Sequence, residues 1–249
     1  MEARPSVHYE RAPITEAVIN IHATFDPVPS AQAIEAFGRG LKDYFPHQHA
    51  VKALKIAMLA EGDSLSSNTS SSGAGVRIAT ERNDRVLQLR PSEFIYSHLP
   101  PYTEWTKFRD EAAELWAKVS AAFNPKRVNR TAVRYINRIV VPTHVDLDKY
   151  LNLTPRLLSH VCEDVEGYFM QLLLPQRDIH PECKCVINTG IEESQVQDCM
   201  NVLFDVDVFV PHADGIAIDA IWPLLERLRD RKNDIFEAAI TDEVRRIIK

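Results

Sequence analysis

The chain has 249 residues, of which 45% are hydrophobic and 26% charged, with a formal net charge of -6. That composition predicts a soluble globular protein of one large or two modest domains. It argues against bulk electrostatic attraction to nucleic acid or an anionic membrane, and leaves only a local basic patch to consider. No run approaches the ~20 apolar residues of a membrane-spanning helix. The opening M-E-A-R-P-S-V-H-Y-E lacks the apolar core of a secretory signal. The four cysteines then read as reduced thiols, and the expected location is cytoplasmic.

A polar arm punctuated by Pro5 and Pro13 leads into E-A-V-I-N-I-H-A-T-F. Strict alternation predicts a strand with Ala17, Ile19, Ile21, Ala23 and Phe25 inward. Glu16, Asn20, His22 and Thr24 then face the other way. Ser30 is placed to cap a helix reaching about Phe45, where Pro46 ends it. Ala53 to Ala60 predicts a second strand. Gly62 to Gly75 is Ser/Gly-rich and reads as a flexible hairpin connection. It lacks the Gly-Lys-Ser/Thr of a phosphate-binding loop.

Val76–Thr80 and Arg85–Arg90 predict a hairpin, with Phe94–His98 as a further strand. Thr103 is the expected cap of a long helix through Phe123, whose Trp105, Phe108, Ala112, Leu115, Trp116 and Val119 recur at helical spacing. Such a stripe is core packing before it is a cofactor site.

Val128 to Pro142 is the clearest strand of the chain, rich in β-branched residues. Arg130, Arg134 and Arg138 share one face by their even spacing; Thr131, Val133, Tyr135, Ile139 and Val141 share the other. A short helix near Leu147–Leu151 follows, then strands at 167–174, 183–189 and 202–210. A long helix over Asp219–Ile240 tolerates Pro223 in its first turn, and Thr241 is the expected cap of a last short helix.

The two halves, 1–125 and 126–249, have the same order of elements: strand, helix, three or four strands, long helix. The expected class is α+β, with antiparallel sheets covered by helices on one face and an internal duplication that is topological, since no residue-level repeat accompanies it. One continuous domain is the alternative to two.

Three blocks occur in order: P-I-T-E-A-V at 13–18, R-Y-I-N-R-I at 134–139, and D-V-D-V-F at 205–209 with a late helix ending I-F-E-A-A-I-T-D. On these the chain resembles a sporadically distributed bacterial family of about this length for which no activity is established. The resemblance implies a family-wide fold and a bacterial protein, and no activity.

The residues themselves nominate one surface. Asp205 and Asp207 share a strand face, and the arginine stripe, Glu16, His22 and Arg90 line the same side of the sheet if helices cover the other. Such a face could bind an anion or a peptide through charge-assisted hydrogen bonds. The same residues would equally build a structural ladder of cross-strand Arg–Asp pairs. Two carboxylates on one strand face also suit a divalent metal, but no third ligand of recognisable pattern lies nearby. His180, Cys183 and Cys185 lack zinc-site spacing, and the cysteines read as small buried strand residues. Lys126, Arg127 and the stripe form the basic concentration nucleic acid would need, without stacking aromatics on their face.

The resulting expectation is a non-catalytic binding or accessory protein that recognises a protein or peptide partner, with no metal or cofactor. The alternative is an enzyme or nucleic-acid processing factor that uses Asp205 and Asp207 with Arg134 and Arg138.

Overall fold

The computed structural model describes residues 9–61, 64–155 and 165–249, with backbone alone across 52–61 and 64–74. Among these residues nine strands form one antiparallel sheet and four α-helices pack with it, an α+β architecture. In chain order the strands are β1 (Ile14–Phe25), β2 (His47–Glu61), β3 (Ser64–Ala79), β4 (Arg85–Arg90), β5 (Glu93–His98), β6 (Pro125–Pro142), β7 (Phe169–Pro175), β8 (Lys184–Glu193) and β9 (Cys199–Ile216). The helices are α1 (Ala31–Gly40), α2 (Trp105–Phe123), α3 (Ile221–Ala239) and α4 (Asp242–Ile248). Across the sheet the order is β2-β3-β4-β5-β1-β6-β9-β8-β7.

Alternation builds the faces. In β1, Ala17, Ile19 and Ile21 are fully buried, and in β6 and β9 so are Val133, Val206 and Val208. The long helices close onto this side. The Phe94 and Trp116 rings meet at 5.4 Å and those of Phe204 and Phe236 at 6.2 Å. Phe108 of α2 stacks on Tyr96 at 5.7 Å. Each such ring removed from water contributes roughly 2–3 kcal/mol, so the helices are held chiefly by apolar contact. α2 ends at Asn124, whose left-handed φ of 48° sets up the entry to β6.

Several local expectations change. Ser30 does cap α1, accepting from the Ala33 N–H at 3.2 Å. Thr103 does not cap α2: the helix begins at Trp105 with Glu104 in the cap position. Thr241 occupies the cap of α4, but its hydroxyl donates instead to the Lys149 carbonyl, 2.5 Å away, and so ties α4 to the chain after β6. The short helix near Leu147 is a single 3-10 turn, Leu147–Lys149.

The Ser/Gly-rich stretch is not a flexible connection. Apart from Gly62 and Asp63, and like the arm up to residue 8 outside the described residues, it is strand β3, paired with β2 from Glu61↔Ser64 to His47↔Ala79. Backbone hydrogen bonds supply this pairing, so side-chain polarity does not forbid it. Gly75 shows why a glycine sits there: a Cβ would stand 2.4 Å from the Leu89 carbonyl oxygen of β4. Gly75→Ala must push β3 away from β4. It is expected to cost roughly 1–3 kcal/mol by that overpacking, read as a lower urea midpoint at unchanged m.

Candidate functional site

The face opposite the Ile19–Tyr135–Val206 side can be read row by row from the register. One row runs Val86, Ser97, Val18, Arg134, Asp207, Val186, Leu173 across β4, β5, β1, β6, β9, β8 and β7. A neighbouring row runs Glu16, Ile136, Asp205, Asn188, Gln171. A third runs Arg90, Glu93, His22, Arg130. Even spacing along β6 and β9 therefore does place the arginines and aspartates together.

Their contacts are specific. Arg134 grips Asp205 with two parallel bonds, Nε to Oδ1 at 2.8 Å and Nη2 to Oδ2 at 2.7 Å, and Asn188 donates to the same Oδ2 at 2.8 Å. Arg130 donates to Asp207 Oδ2 at 3.0 Å and to Asn20. Its guanidinium lies 4.6 Å over the Phe209 ring. Arg138 reaches Glu192 of β8 at 2.6 Å and Thr15 at 2.9 Å. Ala132 sits between Arg130 and Arg134 on β6, and the covering side chains leave it 1% exposed.

The two aspartates differ. Asp205 is satisfied at both oxygens. Asp207 keeps one oxygen, Oδ1, buried with no hydrogen-bond partner among the described residues. Burial pushes its carboxyl above the usual carboxylate range, and the attraction of Arg130 and Arg134 offsets this only in part. The Asp205 carboxylate in turn raises the Arg134 guanidinium further above its ordinary range.

The remaining nominated residues fall close by. His22 Nε2 lies 3.0 Å from Glu93 Oε1, and Arg90 donates to Glu93 Oε2 at 2.7 Å. With His22 and Arg90 both hydrogen-bonded to it, Glu93 is held down to about 2. Glu16 makes no ion pair among the described residues but adds negative potential near Arg134. Glu93 and Glu192, the partners that complete these groups, carry no sequence signal that singles them out.

No group of three or more His, Cys, Asp or Glu suited to a metal ion occurs among the described residues. A cation at Asp205 would have to displace Arg134 and Asn188. Cys185 is a buried residue of β8, while Cys183 is buried at the end of the turn just before it, and burial pushes their thiols up to about 12 and about 11 respectively. Such thiols are poor nucleophiles and ligands at neutral pH.

Sequence reasoning missed a second polar cluster on the other side of the sheet. Glu111 of α2 accepts at one oxygen, Oε2, from Tyr96 at 2.8 Å and Arg85 at 2.9 Å, with His98 Nε2 at 2.7 Å. Burial works against the Glu111 carboxylate, but these bonds together hold it below its ordinary value, while burial keeps His98 below its own. Glu111 follows apolar Phe108 at helical spacing, and no sequence pattern marks it as turned inward.

No protein-family model matches the chain, and no curated protein matches it. The residues alone therefore carry the functional argument.

Two measurements check this geometry. Asp205→Asn presents an amide donor to the donors of Arg134 or Asn188 and is expected to cost about 2 kcal/mol. Asp207→Asn can place its NH2 at the orphaned oxygen while its carbonyl still accepts from Arg130, and is expected to cost less than about 1 kcal/mol at pH 7. A raised carboxyl contributes stability below the ordinary carboxylate range that is lost as pH rises. Asp207→Asn should therefore gain on the wild type between pH 4 and pH 7 in denaturant titrations.

At the second cluster, Glu111→Gln leaves buried His98 and Tyr96 without their charged acceptor. We expect a loss of roughly 2–3 kcal/mol at pH 7. A depressed carboxylate stabilises above its unfolded value, so this difference should shrink as pH falls below about 4.

Proposed function

We propose that the chain is a non-catalytic binding or accessory protein that recognises a protein or peptide partner through the Arg130–Arg134–Arg138 face. The observation that carries this reading lies at the sheet edge. Phe169 and Leu173 of β7 are 68% and 59% exposed. Phe169 continues the row of Gly190, Leu203 and Arg138, and Leu173 the row of Val186, Asp207 and Arg134. An aromatic ring and a leucine beside ordered guanidinium groups have the composition of a recognition core, in which aromatics and arginines anchor the partner. Each arginine already holds a carboxylate, so an incoming molecule meets a neutral, pre-ordered surface. That favours a peptide over a nucleic-acid backbone, whose binding draws on uncompensated positive charge.

The finer architecture belongs to the same reading. Two similar halves, 1–125 and 126–249, would each be a strand–helix–meander–helix unit with its helices on one face, leaving the other as the working surface. In support, β5 returns onto β1 and β9 onto β6, and the two first strands pair with each other at the centre. The location that goes with such an accessory protein is the cytoplasm, with a soluble partner.

One observation favours a second reading. A buried carboxyl that holds its proton above the usual range, as Asp207 does, is an acid/base candidate. An enzyme or nucleic-acid processing factor would use Asp207 and Asp205 with Arg134 and Arg138.

The test is quantitative capture from a lysate of the native host, with immobilised wild type, Phe169→Ser/Leu173→Ser and Asp207→Asn. The partner-binding reading expects stoichiometric recovery of a defined protein by the wild type. The double variant should lose it at least tenfold with its melting temperature unchanged, and Asp207→Asn should retain it. Equal recovery by the double variant, or none by the wild type, would sink the reading.

A further inference from the structure

Lys232 stands apart from every other charged side chain described above. It lies in the middle of α3 on the face turned to the sheet and is 8% exposed. Its Nζ sits 3.7 Å from the centre of the Tyr135 ring of β6. Among the described residues no carboxylate forms an ion pair with it. Tyr135 is itself held by Tyr102, from the segment leading into α2, through a 2.7 Å hydroxyl contact. β9 offers apolar groups here, Phe204 and Val206. On α3, Arg229 and Glu237 flank the amine, and Glu237 is already engaged by the Tyr9 hydroxyl at 3.1 Å and by Arg245 at 3.3 Å.

The residues around Lys232 also tie α3 to the turn between β7 and β8. Arg227 donates to the Ile179 carbonyl at 2.6 Å. Arg231, adjacent to Lys232, holds the Asp178 carboxylate and the Gln176 side chain. Any movement of α3 is therefore felt by residues 176–183.

We propose that Lys232 is a proton-operated latch: uncharged, it lets α3 seat on β6, and on taking a proton it draws water under the helix and loosens α3 together with the β7–β8 turn.

The balance of forces supports this. Burial acts first, opposing a charge far from bulk water, and Arg229 acts the same way. Glu237 and the Tyr135 ring face favour the ammonium, but Glu237 is shared with Tyr9 and Arg245. Together these bring the amine down from 10.5 to about 7. Tyr102 and Tyr135 are both pushed up by burial, Tyr102 to about 12, so neither supplies a counter-charge at neutral pH. The sign follows: the unfolded lysine holds its proton throughout, so this group lowers stability as pH falls from about 10 towards about 7. Within the folded state, the charged form gains as pH falls through 7. His98 and His212, both held below their ordinary value by burial, respond further down. Because the turn adjoins β7, acid would weaken docking at Phe169 and Leu173; this last link rests on the function proposed above, and the latch does not.

The test uses the full chain. In ε-13C-lysine NMR we expect one lysine to titrate near neutral pH, its resonance missing from Lys232→Met. Hydrogen exchange, corrected for intrinsic rates, should show at least a tenfold loss of protection in 221–239 and 176–183 between pH 8.5 and pH 6.5. That loss should be absent in Lys232→Met. A Lys232 that titrates with the surface lysines near 10 would overturn the latch, and so would an equal loss in both proteins. If the variant does not fold, the wild-type titration decides alone. Partner capture that persists at pH 6.5 despite an observed latch would remove only the docking link.

Discussion

Everything in this sheet depends on the pairing of β1 with β6. The two strands face each other from Ile14↔Asn137 to Phe25↔Pro125, and each carries the rest of its side of the sheet on its outer edge. Alternation makes the pairing unforgiving: a one-residue slip would turn Arg130, Arg134 and Arg138 towards α2 and α3 and put Val133, Tyr135 and Ile139 in their place. The buried face fixes the strand's phase. The charged face is then a consequence of that phase, and its contents are decided by which acids β8 and β9 bring alongside.

Those acids are not equivalent. Asp205 is almost fully buried and fully bonded; Asp207, two residues on, keeps one oxygen unpaired. The difference comes from neighbours: Asn188 in β8 stands opposite Asp205, while Val186 stands opposite Asp207. An amide in the first case and a methyl-bearing side chain in the second decide which carboxylate has a third partner. The same strand therefore presents one inert, structural carboxylate and one that is stressed by its surroundings.

Much of this is legible in the sequence, for a definable reason. The faces of β1, β6 and β9 follow from period-two alternation, which acts over a few residues, so spacing alone puts Arg134 and Asp205 on the sides of their strands away from the apolar residues. What alternation cannot supply is registry between distant strands. Arg138 finds Glu192 rather than either aspartate, and Glu93 rather than Asp207 receives His22; both depend on pairings across tens of residues. The Ser-rich strand β3 escapes because backbone pairing leaves no hydrophobic trace. Glu111 and Lys232 escape because a single charged residue on a helix looks solvated until the helix's rotation over the sheet is known. Thr103 and Thr241 suggest caps by residue type alone, and at Thr241 a tertiary acceptor, the Lys149 carbonyl, claims the hydroxyl.

The polar pairs also bear on a question that hydrophobicity leaves open. A slip of β9 by two residues against β6 would keep Phe204, Val206 and Val208 on the helix side, so apolar burial discriminates weakly against it. The charged face adds a preference through the geometry of its pairs. Arg134 reaches Asp205 diagonally, and Arg130 reaches past Ala132 to Asp207 while lying over Phe209. Displaced by two residues, Asp205 would come opposite Arg134 or Arg138 and Asp207 one place along from an arginine, so the observed set of bonds would have to be remade rather than lost outright. A pair of apolar residues at the same positions would add as much stability without that directional geometry. On this argument the ladder's structural role and any role in recognition are not rivals. Whatever meets this face meets it in one register, and Arg130, Arg134, Asp205 and Asp207 are bonded across β6 and β9 in that register.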